Sequence, residues 1–206
     1  MDYAAFLELS PTTLADLLTR DQVMDMGIRP LWQPMPRIAG PAYPVRCPAG
    51  DHLMLHAAIY RAPSGAVIVV ESGDVNYALA GGNVCAVAQR HGIAGFVLDG
   101  ALRDVAESRA RHFPVFARGV VPIPGAKDQI GSLDRTAQCG GVAVSSGDVV
   151  VADEEGIVVV PQIRAAELLE AARKRASKDA AQSLDEWETA HRARIEEILR
   201  KKGFLC

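Results

Sequence analysis

The chain has 206 residues, enough for one domain with a sizeable core. With 49% hydrophobic residues, 23% charged residues and a net charge of -3, it carries neither a polybasic patch nor an acidic tail, which argues against binding nucleic acid by bulk electrostatics. No apolar run approaches the roughly 20 residues of a membrane helix, no basic leader with an apolar core opens the chain, and Cys47, Cys85, Cys139 and Cys206 are scattered without a CxxC. A cytoplasmic, reducing setting is therefore expected, with no membrane partner.

In chain order, Ser10 and Thr12 stand before TLADLL and predict an N-terminal helix capped near residues 11–13. The stretch RPLWQPMPRIAGPAYPVRCPAGD follows, and its prolines predict extended or edge segments rather than helix. DHLMLHAAIYR reads as a short helix, and a PSG turn then leads into AVIVVES, a β-branched run that reads as a buried strand. GGNVCAVAQRHG fits a helix with glycine at each end, and IAGFVLDG reads as a second buried strand. Strand, helix and strand within about 35 residues predict a right-handed βαβ unit with parallel strands. PVFARGVV and GVAVSSGDVVVADEEGIVVVP read as short strands broken by glycine turns. From Gln162 the alanine-rich, charged run predicts an amphipathic helical tail broken near Ser183. The expected organisation is an α/β domain over residues 1–161 and a helical extension over 162–206, either part of the same domain or an oligomer arm.

Ligands of α/β sheets bind beyond the carboxyl ends of the strands, beside helix N-termini. Gly81, Gly82 and Asn83 open the predicted helix and offer backbone amides to an anion. DGALRD follows the next strand. Arg103 there suits bidentate binding of a carboxylate, and Asp104 suits a hard divalent cation. The plain alternative is a surface Arg-Asp pair, with Asp99 capping a turn. His52 and His56, four apart, meet on one helical face but lack a third ligand or an HExxH context. His91, His112 and His191 stand alone, and Cys85 reads as a buried structural thiol. Asp148, Asp153 and Glu154 read as turn residues rather than a calcium loop. Lys127 lies in a loop, away from the other lysines on the tail, which disfavours imine chemistry.

GGNVCAVAQRHGIAGFVLDGALRDVAE, PVFARGV and GVAVSSGDVVVADEEGIVVVP together resemble the RraA-like family, from about Ser10 to Pro161. The most specific part of the likeness is that family's aldolase signature, a glycine, twenty residues, Arg-Asp, two residues and an acid, here Gly82, Arg103, Asp104 and Glu107. The resemblance implies a β/β/α fold similar to swivelling phosphohistidine domains, assembled as a homotrimer or homohexamer. It implies Mg²⁺ or Mn²⁺ on Asp104, with Glu107 and Asp99 acting through water. It also implies a 2-oxo acid whose carboxylate is held by Arg103 and by the amides following Gly82, at Asn83 and Val84. The implied activity is cleavage of 4-hydroxy-4-methyl-2-oxoglutarate or a related acid to pyruvate, with oxaloacetate decarboxylation. Family members that bind and inhibit ribonuclease E set the alternative, although the best-known regulator has glutamine at the position of Asp104.

Overall fold

The computed structural model describes residues 3–204. Its strands are β1 (Arg29–Pro30), β2 (Ile38–Cys47), β3 (Val67–Ser72), β4 (Ala78–Ala80), β5 (Gly95–Leu102), β6 (Val115–Val120), β7 (Ser132–Leu133), β8 (Ala137–Cys139), β9 (Val142–Val144), β10 (Val149–Asp153) and β11 (Gly156–Val160). The helices are α1 (Pro11–Ala15), α2 (Leu53–Ala58), α3 (Gly82–Arg90), α4 (Val105–Ala110), α5 (Ala165–Ala181) and α6 (Leu184–Lys201). One mixed sheet runs β1-β6-β5-β3-β2-β10-β11, with β4 added to β5 and β7 to β2, while β8 and β9 form a separate hairpin.

Alternation along the central strands sets the layers. Ile68, Val70, Phe96 and Leu98 pack under Leu55 and Ala58 of α2 and Cys85 and Ala88 of α3. Their neighbours Val67, Val69 and Val97 face the other way, against Cys139, Val142 and Val144 of the hairpin. The result is a β/β/α stack in which the central strands, covered on both faces, are apolar throughout. Each buried valine or leucine there contributes about 1.5–3 kcal/mol. A third cluster seats α1 and the first turns of α5 on β10 and β11 through Leu14, Val149, Val151, Leu168 and Ala172.

The expected βαβ unit is present: β3 and β5 are parallel neighbours in register from Val67↔Gly95 to Glu71↔Asp99. Ser10 caps α1, its hydroxyl accepting from the Thr13 amide, and Ser183 caps α6 in a reciprocal box with Glu186 at the break in the tail. The proline-rich stretch is extended, as expected, and contains β2, a central strand rather than an edge. Pro41 precedes the first β3 pair, Ala42↔Val67, and Pro44 falls between the end of the β10 ladder at Pro41 and the start of β7 pairing at Val45, so neither missing N–H breaks a ladder. Asp99 caps no turn, because β5 continues through it to Leu102. Cys47, Cys85 and Cys139 are free and buried, and Cys206 lies outside the described residues. Among the described residues no helix is long and apolar enough to cross a membrane.

Candidate active site

The backbone at the end of β5 brings the signature residues together. The Arg103 amide donates to the Ala80 carbonyl at 3.0 Å, tying this end to β4 just before α3 begins. Asp104 then takes up left-handed backbone (φ 58, ψ 40), a conformation aspartate tolerates better than most residues. Its carbonyl accepts from Glu107 and Ser108 and starts α4, but its side chain does not cap that helix. The turn instead sends the carboxylate across to α3, where Asp104 Oδ2 accepts from the Gly82 amide at 3.1 Å. Arg103 Nε lies 3.5 Å from the same oxygen, and both side chains are 41% exposed, open to a ligand.

The two glycines are needed for space. A methyl group at Gly81 would collide with Asp104 Oδ2 and stand 3.0 Å from Arg103 Nε. One at Gly82 would collide with the Glu107 carboxylate and lie 2.9 Å from Glu107 Cβ. The signature spacing therefore records close packing of the α3 N-terminus on the α4 N-terminus. The amides of Asn83 and Val84, orphans of the first turn, donate to no acceptor among the described residues.

These groups line a cleft of about 560 Å³. Its other lining comes from His52 and His56 of the α2 region and from residues 124–128. That loop is held by Asp51, 2% exposed, whose carboxylate accepts from the amides of Leu53 (2.8 Å), Asp128 (2.6 Å) and Gln129 (3.1 Å). Burial pushes the Asp51 carboxyl up, but the three donors together outweigh it and hold it below the usual carboxylate range. The His52 amide adds a bond to the Ala126 carbonyl at 3.0 Å. The two imidazoles stack with centroids 4.4 Å apart. Burial leads the lowering of both, and His56 is pushed down to about 4, with His52, Lys127 and Arg103 adding to the effect.

Of the residues singled out in the sequence, Gly82, Asn83, Val84, Arg103, Asp104 and Glu107 come together here. Asp99 does not. It shares the face of Val97, toward the hairpin, where its carboxylate accepts from the Gly140 amide at 2.8 Å and pairs with Arg118, which also binds Asp25 at 2.8 Å. Asp99 is not among the residues that line the cleft. His91, His112 and His191 pair with Tyr60, Trp32 and Trp187, away from the cleft. Cys85 is pushed up to about 11, first by burial, as suits an inert thiol. Lys127 lines the cleft, and with His52, His56 and Asp51 it is what sequence reasoning left out of the site.

No cluster of three or more histidine, cysteine or acidic residues suited to a metal occurs among the described residues, so a closed protein cage is absent. The donor set nevertheless fits a hard cation. Asp104 Oδ1 and the Glu107 carboxylate have no hydrogen-bond or ion-pair partner among the described residues. One or two such carboxylates with water complete the sparse oxygen set that Mg²⁺ prefers.

The model of the RraA-like family, described as aldolase/RraA, matches residues 11–159. A protein of Halalkalibacterium halodurans named "Putative 4-hydroxy-4-methyl-2-oxoglutarate aldolase" is 37% identical over 183 residues, covering 88% of this chain and 87% of its own. Among solved structures, the RNA-processing inhibitor RraA of Thermus superposes with a TM-score of 0.67 at 30% identity, covering 73% of this chain and 92% of its own. A Streptomyces coelicolor protein, described as an unusual member of the RNase ES inhibitor RraA family, superposes with a TM-score of 0.71 at 26% identity, covering 93% and 96%.

Proposed function

From the premise that the chain belongs to the RraA-like family, we propose that it is a divalent-metal-dependent carbon-carbon lyase. It releases pyruvate from 4-hydroxy-4-methyl-2-oxoglutarate or a related 4-hydroxy-2-oxo acid and decarboxylates oxaloacetate at the same site. The observation that carries this reading is the Asp104 carboxylate, turned by left-handed backbone onto the Gly82 amide beside Arg103 in an open cleft. Positive-φ aspartate is a cost that surrounding structure must overcome, and such positions cluster where function demands them.

In this reading the substrate carboxylate sits on the Asn83 and Val84 amides, favoured by the α3 dipole, and Arg103 grips it and the 2-oxo oxygen. Mg²⁺ or Mn²⁺, held by Asp104 with Glu107 acting through water, would supply Lewis-acid polarisation of that oxygen. Arg103 stabilises the negative charge that develops there when the C3–C4 bond breaks or carbon dioxide leaves, so one enolate serves both reactions. Assembly as a homotrimer or homohexamer belongs to the same proposal. It is supported by the exposed apolar stripe of Leu184, Trp187, Ile195 and Ile198 on α6.

The test is pyruvate release coupled to lactate dehydrogenase from both substrates, with Mg²⁺, with Mn²⁺ and with chelator, for the wild type and Asp104→Ala. Release that chelator abolishes and that Asp104→Ala loses with its oligomer intact supports the lyase. The second reading, a regulator that binds ribonuclease E, draws on the inhibitors among the structural relatives. No pyruvate with any metal, together with ribonuclease binding that survives Asp104→Ala, would establish that alternative.

A further inference from the structure

Lys127 lines the second wall of the cleft, and the proposed chemistry at Arg103 and Asp104 leaves it unused. It is exposed and has no hydrogen-bond or ion-pair partner among the described residues, although Asp128 follows it directly. A free lysine on a loop is ordinary, but this loop is fixed on both sides of it. The Ala126 amide donates to the Gly50 carbonyl at 2.7 Å, and the Ala126 carbonyl accepts from the His52 amide at 3.0 Å. The Asp128 amide donates to the buried Asp51 carboxylate at 2.6 Å. A side chain at Gly125 would meet the Gly50 carbonyl oxygen at 2.6 Å, so the loop is packed tightly where it crosses residues 50–52. Irregular segments are usually more mobile than the elements they join, whereas this one is a mount for a single side chain.

The mount places Lys127 in the same electrostatic surroundings as Arg103. Burial leads the lowering of His52 and His56, and the charges of Lys127 and Arg103 both add to it. The two cations therefore stand near the same stacked rings. With the metal and the 2-oxo carboxylate in place, the cleft would still carry an unmatched charge. Asp104 and Glu107 offset a divalent cation, and Arg103 offsets the carboxylate beside the 2-oxo group. Lys127 remains, and Asp128, which also lines the cleft, forms no ion pair with it. A fixed, unmatched cation in a cleft is a seat for one more anion.

We propose that Lys127 binds the distal carboxylate of the substrate, so that the cleft selects 2-oxo dicarboxylates over 2-oxo monocarboxylates of equal length. The inference rests on the lyase reading above. In aldol cleavage the distal carboxylate stays on the departing keto fragment, so the ion pair persists through the reaction and acts on KM. In oxaloacetate that carboxylate is itself lost as neutral carbon dioxide. The ion pair then stabilises the ground state alone, and removing the lysine should raise KM for oxaloacetate without lowering kcat.

Unreactive analogues test the pairing without turnover. The acids 2-oxoglutarate and 2-oxopentanoate share a five-carbon chain and differ in ending on a carboxylate or a methyl group. Titration calorimetry with Mg²⁺ present should show wild type and Lys127→Arg preferring 2-oxoglutarate by about tenfold or more, with the preference lost in Lys127→Met. A preference that survives in Lys127→Met, or none in the wild type, would overturn the assignment. In turnover, Lys127→Met should lower kcat/KM for 4-hydroxy-4-methyl-2-oxoglutarate about tenfold further than for 4-hydroxy-2-oxopentanoate, which lacks the distal carboxylate. Equal falls for the two would also overturn it. Pyruvate from neither substrate in the wild type would sink the lyase reading, while the calorimetric preference would still decide what Lys127 binds.

Discussion

Replacing Asp51 with asparagine tests whether one buried carboxylate holds the outer wall of the cleft. Its two oxygens serve three amides, Leu53 at the start of α2 and Asp128 and Gln129 on the far loop. Asparagine offers one oxygen and a donor. If the oxygen keeps the two loop amides, the Leu53 amide faces an NH₂ group and loses its acceptor, a loss of about 1 kcal/mol. The two surviving bonds also lose their charge, about 0.5–1.5 kcal/mol each. Asp51→Asn should therefore destabilise the protein by about 2–4 kcal/mol at neutral pH, measured by urea unfolding at fixed protein concentration. Because the folded carboxyl lies below its ordinary value, its contribution is complete above the unfolded pKa near 4 and is lost as pH falls through the folded one. Protonated aspartate resembles asparagine, so the gap between the two proteins should close as the pH falls through the folded pKa. A gap under about 0.5 kcal/mol at pH 7, or one that persists unchanged in acid, would refute the reasoning.

Arg103→Lys keeps the charge but loses the planar fork. It should lower kcat/KM for pyruvate release by about 10²–10³ with near-native circular dichroism, and a loss under tenfold would remove Arg103 from the enolate. Gly82→Ala should destabilise by about 1–3 kcal/mol in urea, since the new methyl group meets Glu107 at its Cβ as well as its mobile carboxylate; unchanged stability would show that α3 and α4 part freely. Removing residues 184–206 takes away α6, which buries no residue within the chain. Light scattering should then report a smaller assembly while the near-UV spectrum of the core is kept, and an unchanged mass would make α6 a solvated appendage.

The layers were legible because they rest on local patterns. AVIVVES and IAGFVLDG are apolar on both faces, as strands covered on both sides must be, and Ser183 with Glu186 spells a helix start. The central position of β2 was not legible. Whether a proline damages a sheet depends on which neighbour its missing N–H faces, and that is fixed by β3, β7 and β10, which are spread from residue 67 to 153. The boundary of β5 misled for a related reason. Aspartate is disfavoured in strands and suggested a turn, whereas Asp99 is accommodated inside β5 by Arg118 and the Gly140 amide, both distant in sequence.

The candidate site divides along the same line. Gly82, Arg103, Asp104 and Glu107 form a sequence signature because α3 and α4 start at the ends of the neighbouring parallel strands β4 and β5, so their spacing encodes their contact. The second wall has no such encoding. His52 sits 51 residues before Arg103, and Lys127 comes 24 after it. They meet only because Asp51 reaches the 128–129 amides and Ala78 pairs with Pro124. A wall assembled from three separate segments can change its side chains without disturbing the Arg103–Asp104 turn. If the lyase reading holds, the enolate chemistry is fixed by the local half of the cleft, and the fragment that leaves from C3, a carbonyl compound or carbon dioxide, faces the non-local half.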